Sequence, residues 1–331
     1  MPCFDTITIS SQDEIQSHLS ALCPDGVVLE IHIVNATGEL NFTTITEVNN
    51  IYVIDNPLLE LLAFPELQAL SNIFINPASS LGVLWLPKLK AKLPLGVTSD
   101  DHDSSLVQEW APAIKTTGAL PHGLYGLFAD NLVAIRTLVV QSSPFGIFGH
   151  HLPNLTGIDY LETDACLMLD NLTEVYELLL TRVHGDYSCV HELPSIKSIG
   201  ALNVTGPASI RAGPQGFAVN DSLIVGPSPP WYYDHADTNS QGEVTFFMGD
   251  VKTVGSDTKI IGNADLPLDF GGLESIGGNL ILSNNQNCTV DFGQLSVVTN
   301  LSMVDNVDTV LPALLKLENA MNIHLRGYID T

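Results

Sequence analysis

Ile260-Ile261-Gly262-Asn263, Ile281-Leu282-Ser283-Asn284, Met303-Val304-Asp305-Asn306 and Ile323-His324-Leu325-Arg326 are four versions of one motif, and their spacing decides the fold. Asn263, Asn284 and Asn306 stand 21 and 22 residues apart. Between them, Phe270-Gly271-Gly272-Leu273 and Phe292-Gly293-Gln294-Leu295 recur at a step of 22. Two apolar features sharing one period describe a chain that coils once every 21 to 22 residues, each turn burying its strands on the next. An asparagine at each strand end has a physical role. Its amide hydrogen-bonds turn backbone and it tolerates left-handed conformations, so stacked asparagines predict a structural amide ladder rather than a catalytic row.

The same period appears at the other end of the chain. Ile31-His32-Ile33, Tyr52-Val53-Ile54 and Ile73-Phe74-Ile75 are centred 21 residues apart. A second column runs through Phe42, then Phe64 in Phe64-Pro65-Glu66-Leu67, then Trp85 before Leu86-Pro87-Lys88-Leu89. Leu152 and Leu193 open Leu-Pro motifs nearly two periods apart. The expected fold is therefore mainly β: a right-handed parallel β-helix or leucine-rich-like solenoid.

Ser11 to Leu22 reads as a short amphipathic helix, with Ser11 and Glu14 at capping-box spacing and Ile15, Leu19 and Leu22 on one face. It is expected to cap the first rung. Two stretches break the period, Thr98 to His122 and Gly226 to Glu243. The expected organisation is a cap over 1–24, a first lobe over 25–97, an irregular loop over 98–122, and a second lobe over 123–331 with a loop at 226–243.

Twelve Lys plus Arg stand against 37 Asp plus Glu, a formal net charge of -25. Phosphate recognition needs clustered cations, and no basic run occurs, which excludes nucleic-acid binding as a function class. With 45% hydrophobic and 15% charged residues the chain is a folded one.

Five cysteines, Cys3, Cys23, Cys166, Cys189 and Cys288, include no CxxC pair, so disulfides are the better reading than zinc. Cys3 and Cys23 bracket the helix, and Cys166 and Cys189 lie about one repeat apart, so each pair is expected to close across neighbouring turns. Cys288 is left over: it either pairs outside this chain or is buried and inert. The acceptor Asn-x-Ser/Thr occurs at Asn35, Asn41, Asn154, Asn171, Asn203, Asn220, Asn287 and Asn300. With 22 Asn and 47 Ser plus Thr in 331 residues, chance gives about three. The excess points to an extracellular, N-glycosylated protein. Met1-Pro2-Cys3-Phe4 leads into polar sequence with no secretory leader, and no apolar run reaches the ~20 residues of a membrane span, so a trimmed, mature form is expected.

Cys3 with Thr6-Ile7-Thr8-Ile9-Ser10-Ser11-Gln12-Asp13 and Cys23, the Phe64-Pro65-Glu66-Leu67 type of rung, Ile276-Gly277-Gly278-Asn279-Leu280-Ile281-Leu282-Ser283-Asn284-Asn285 and the ending Ile323 to Asp330 together resemble the fungal cell-wall organisation proteins of the receptor L-domain superfamily. The resemblance covers nearly the whole chain. It implies a secreted, cell-surface protein that supports wall integrity, usually tethered by a glycolipid (GPI) or membrane anchor, with no catalytic motif and no cofactor. The chain carries neither a Ser/Thr-rich stalk nor an anchor signal, so attachment is implied by the resemblance alone. The implied partners are wall polysaccharide or a cell-surface protein.

Other chemistry is weaker. Asp159, Glu162 and Asp164 are the carboxylates a polysaccharide hydrolase would need, but strict alternation puts Asp159 and Glu162 on opposite faces of a strand. Arg136, Arg182, Arg211 and Arg326 are scattered over different rungs, which argues against a lyase. Asp100, Asp101 and Asp103 with His102 lack the glycine turn and final Glu of a calcium loop, and adjacent His150 and His151 face apart, so no metal site is expected. Trp231, Tyr232 and Tyr233, after Pro229-Pro230, are the expected ligand loop, since exposed aromatic faces stack on sugar rings. The rival classes are a receptor ectodomain for a protein ligand and a β-helix polysaccharide-degrading enzyme.

Overall fold

A computed structural model describes residues 4–22, 26–75, 81–90, 113–116, 126–140, 152–164, 167–181, 189–206, 208–227, 246–310 and 316–327. These residues are mainly β and form two compact units, 1–172 and 173–331, each a parallel β-solenoid.

In the first unit the main sheet runs in the order β1 (Phe4–Ile9), β2 (Val27–Val34), β4 (Glu47–Ile54), β6 (Ala69–Ile75), β8 (Ala113–Thr116), β10 (Ala134–Val140) and β11 (Gly157–Thr163). A second sheet stacks β3 (Thr37–Asn41), β5 (Leu58–Ala63), β7 (Val83–Trp85) and β9 (Gly126–Phe128). The strands of both sheets pair in parallel, so each turn lays its strands on those of the turn before. The rung has a fixed burial rhythm. In β4 the side chains of Val48, Ile51 and Val53 are buried and Asn49, Asn50 and Tyr52 are not; β2, β6, β10 and β11 repeat this. Two consecutive outward residues precede the second inward one, so alternation is broken once per rung.

Phe42 and Phe64 are fully buried and stack at 4.4 Å with planes 12° apart. Complete burial of each ring stabilises the coil by about 1.5–3 kcal/mol, and the stacked pair by about 0.5–1.5 more. The next member of this column is Leu86, fully buried, and not Trp85. Trp85 pairs with Ala63 in register and is 39% exposed. The step is thus 22 throughout, and the tryptophan belongs to the outer surface.

Helix α1 (Gln12–Leu22) follows β1. Ser11 caps it, accepting from the Glu14 N–H at 3.3 Å, while the Glu14 carboxylate accepts from the Ser10 N–H at 2.6 Å, one residue earlier than the usual reciprocal bond. Ile15 and Leu19 are buried, and Gln12 exchanges hydrogen bonds with the Asn41 backbone at 3.2 and 2.8 Å. The solenoid begins before this helix: Ile7 and Ile9 of β1 pair with Ile31 and Ile33 and are buried with them. Within the stretch 98–122 the described residues Ala113–Thr116 form a strand between β6 and β10, with Ile114 buried.

In the second unit β12 (Glu174–Leu180) pairs with β14 (Ser198–Val204), and β13 (Cys189–Leu193) with β15 (Ala208–Ala212). The next two rungs are split: β16 (Phe217–Val219) and β17 (Leu223–Val225) both pair with β14, and then with β19 (Val251–Val254) and β20 (Thr258–Ile261). The halves rejoin in β22 (Ser275–Ser283), followed by β24 (Val297–Val304) and β25 (Asn319–Arg326). A side sheet stacks β18 (Phe246–Phe247), β21 (Pro267–Asp269) and β23 (Thr289–Asp291). Phe270 and Phe292 stack at 5.4 Å and 18°.

The buried amide ladder is present, with a shifted member. Asn263 Nδ2 donates to Asn285 Oδ1 at 3.0 Å, and Asn285 Nδ2 to Asn306 Oδ1 at 2.9 Å. Asn284 is exposed and takes φ 54°, the left-handed corner that Gly262 and Asp305 occupy on neighbouring rungs. The first unit uses the same corner at Asp55-Asn56. Asp55 is left-handed, and buried Asn56 accepts from the Ala36 N–H at 2.8 Å and donates to the Ile33 carbonyl at 2.8 Å.

Candidate functional site

The broken alternation of the rungs builds a polar and aromatic surface on the outer face of the first unit's main sheet. Residues one rung apart are register partners, so each outward position becomes a column with the strand spacing of a sheet, about 4.8 Å. One column is Glu30, Asn50 and Asn72; beside it runs His32, Tyr52 and Phe74. All six side chains are half-buried.

The first column is one directional hydrogen-bond chain. Arg136 Nη2 donates to Asn72 Oδ1 at 3.1 Å, Asn72 Nδ2 to Asn50 Oδ1 at 2.9 Å, and Asn50 Nδ2 to Glu30 Oε1 at 3.3 Å. Arg136 reaches Asn72 across the β8 rung, where the register position is held by Ala113. A cation thus terminates the donor end and a carboxylate the acceptor end, the polarity that strengthens each bond in a chain. In the second column, Tyr52 and Phe74 stack at 5.4 Å and 11°, and His32 tilts against Tyr52 at 4.9 Å and 51°. His32 Nε2 lies 3.5 Å from Glu30 Oε2 but makes no hydrogen bond. What this surface offers is a row of ring edges beside a row of amides that keep a spare lone pair or N–H each, repeated at a constant step.

The expected site residues distribute as follows. Trp231, Tyr232 and Tyr233, Asp100 to Asp103, His150 and His151 lie outside the described residues, as do Cys3, Cys23, Cys166 and the side chain of Cys189. Among the described residues there is no disulfide and no group of three His, Cys, Asp or Glu that could hold a metal ion. Cys288 is a buried free thiol within reach of the Gln286 and Asn263 carbonyls, at 3.3 and 3.4 Å, and burial pushes its pKa up. Asp159 and Glu162 are both half-buried in β11, because the rung turns the doublet Asp159-Tyr160 outward between buried Ile158 and Leu161 and then turns Glu162 outward after Leu161. The opposite-faces expectation therefore fails, and Glu162 accepts from the Tyr160 hydroxyl at 2.7 Å.

The glycosylation acceptors differ in how their amide is used. Asn154 and Asn171 donate Nδ2 to the Asp130 and Pro153 carbonyls, Asn287 to Asp265, and Asn300 to Asn279. Asn35 is exposed with φ 54°, Asn41 and Asn220 are exposed, and Asn203 is half-buried in β14. No helix among the described residues is long and apolar enough to cross a membrane.

Comparison with known proteins finds no matching family model, curated protein or solved structure.

Proposed function

We propose that the chain is a non-catalytic, secreted cell-surface glycoprotein module that supports fungal cell-wall organisation and integrity by binding a neutral wall polysaccharide. The observation that carries this reading is the paired column on the first unit, His32-Tyr52-Phe74 beside Glu30-Asn50-Asn72. A surface that repeats at a constant step suits a ligand that repeats, and rings beside amides are the groups that hold sugar C–H faces and hydroxyls. The charge of -25 disfavours polyanions, which leaves neutral glycans as the fitting class. The receptor L-domain type of solenoid, the capping role of α1, the N-glycans, the Cys3–Cys23 and Cys166–Cys189 disulfides and an anchor belong to the same proposal. The aromatic segment at 231–233 is a second contact within it.

The test is incubation of the purified chain with the neutral polysaccharides insoluble glucan and chitin. Depletion of the protein from solution without release of oligosaccharide is expected. Catalytic release would establish the enzyme reading instead, and no depletion by any polysaccharide would contradict the proposal.

A further inference from the structure

The ring column of the first unit also constrains the shape of the glycan it takes. Its ring centroids advance by 4.9 Å from His32 to Tyr52 and by 5.4 Å from Tyr52 to Phe74, one step per rung. The Tyr52 and Phe74 planes are 11° apart, so these two rungs turn their ring edges outward in the same orientation. Side-chain ladders of this kind hold a sheet flat. The row runs across the strands, along the direction in which the rungs stack.

The amide column keeps the same step. Asn50 donates one N–H to Glu30 and accepts from Asn72, and Asn72 donates one N–H to Asn50 and accepts from Arg136. Each amide therefore retains a second N–H and a second oxygen lone pair. Both bonds run in one direction, so each of these rungs offers one donor and one acceptor in the same sense. The face is also clear of glycosylation acceptors. Asn35 follows β2, Asn41 ends β3, and Asn154 and Asn171 lie in turns, whereas Asn203 and Asn300 of the second unit lie within β14 and β24.

Among neutral glycans the linkage decides which polymer matches such a row. A β-1,4-linked chain of glucose or N-acetylglucosamine is an extended ribbon whose sugars advance by little more than the ~4.8 Å between neighbouring strands. Successive sugars turn over, yet each carries polar groups along both edges of the ribbon. A β-1,3 linkage instead bends the chain at every sugar into an open helix, which lifts successive sugars off a straight, flat row.

We infer that this surface selects an extended β-1,4-linked glycan, laid across the strands with one sugar per rung over His32, Tyr52 and Phe74 and one polar edge on Asn50 and Asn72. The inference rests on the reading of this face as a polysaccharide site and adds the linkage to it. The ring row is bounded, with Thr8 and Lys115 at the register positions on either side, so a trisaccharide segment fills it.

The test is calorimetric titration of the full chain with hexasaccharides of β-1,4-linked N-acetylglucosamine, β-1,4-linked glucose and β-1,3-linked glucose. At least one β-1,4 hexasaccharide should bind about tenfold or more tighter than the β-1,3 one, and the tighter of the two β-1,4 ligands identifies the sugar. Shortening that ligand to the trisaccharide should cost little, and shortening it again to the disaccharide about tenfold. Tyr52→Ala with an unchanged circular dichroism spectrum should abolish the preference for the β-1,4 linkage. A β-1,3 hexasaccharide that binds as tightly, and through Tyr52, would overturn the linkage and leave polysaccharide binding by this face standing. A disaccharide as good as the trisaccharide would overturn the one-sugar-per-rung register. Absence of binding to all three hexasaccharides would overturn the inference too, and depletion by insoluble glucan or chitin then decides separately whether the face is a polysaccharide site.

Discussion

Arg136 and Glu30 stand at opposite ends of one hydrogen-bond chain that passes through Asn72 and Asn50. Each amide donates in the same direction, so the guanidinium and the carboxylate polarise the two asparagines between them. Arg136→Leu should cost about 1 kcal/mol, modest because the groups are half-buried, and Asn50→Ala a similar amount. Because the two residues share a chain without touching, the double variant should cost less than the sum of the singles by about 0.5 kcal/mol or more. Urea unfolding of the four species measures this; strict additivity would mean that the chain carries no cooperative energy.

Asn285 and Asn284 separate the two roles that the sequence presents side by side. Asn285→Ala removes the acceptor used by the Asn263 N–H and Nδ2 and the donor used by the Ile260 carbonyl, all buried, and should cost about 3 kcal/mol. Asn284→Gly should be close to neutral, since glycine adopts φ 54° freely. Equal effects in thermal unfolding would contradict the assignment of Asn285 to the ladder.

That pair also shows how far the sequence could be read. The period, the parallel coil and the buried phenylalanine columns were legible because inward side chains repeat in register. What slipped was phase by one residue. Ser283-Asn284-Asn285 offers two asparagines for one buried position, and only the left-handed corner at Asn284 decides between them. Trp85 and Leu86 pose the same problem for an apolar column, and the larger residue is the outer one. The outward doublet, such as Asn49-Asn50 or Asp159-Tyr160, comes from a break in alternation that a two-residue period cannot express, so the amide and ring columns of the candidate site were not singled out. Ile114 was hidden because its rung is a four-residue strand within a long aperiodic stretch.

His191 gives the second unit a specific sensitivity to acid. It is buried in β13, its Nδ1 has no hydrogen-bond partner, and burial lowers its pKa to about 4 from 6.5. The folded state therefore favours the neutral ring. That contribution is fully present above pH 6.5 and is lost progressively as pH falls toward 4, where the loss amounts to about 3 kcal/mol. His191→Leu should flatten the fall in stability over this window relative to the parent chain; an unchanged pH profile would contradict it.

Cys288 should be inert in the folded chain. Its thiol is buried, within reach of two carbonyls and held protonated by its surroundings, so an aromatic disulfide reagent should modify it only as fast as the second unit opens. Immediate modification under native conditions would show that the rung is not closed around it.

The proposed function rests on binding of a neutral polysaccharide by the ring and amide columns of the first unit. The measurement is depletion onto whichever of insoluble glucan and chitin retains the parent chain, with Tyr52→Ala and Phe74→Ala compared against Trp85→Ala, a surface aromatic on the other sheet. Loss of about tenfold or more in affinity for the first two, with little change for the third, is the predicted result. Unchanged binding by the folded Tyr52 and Phe74 variants would contradict the account.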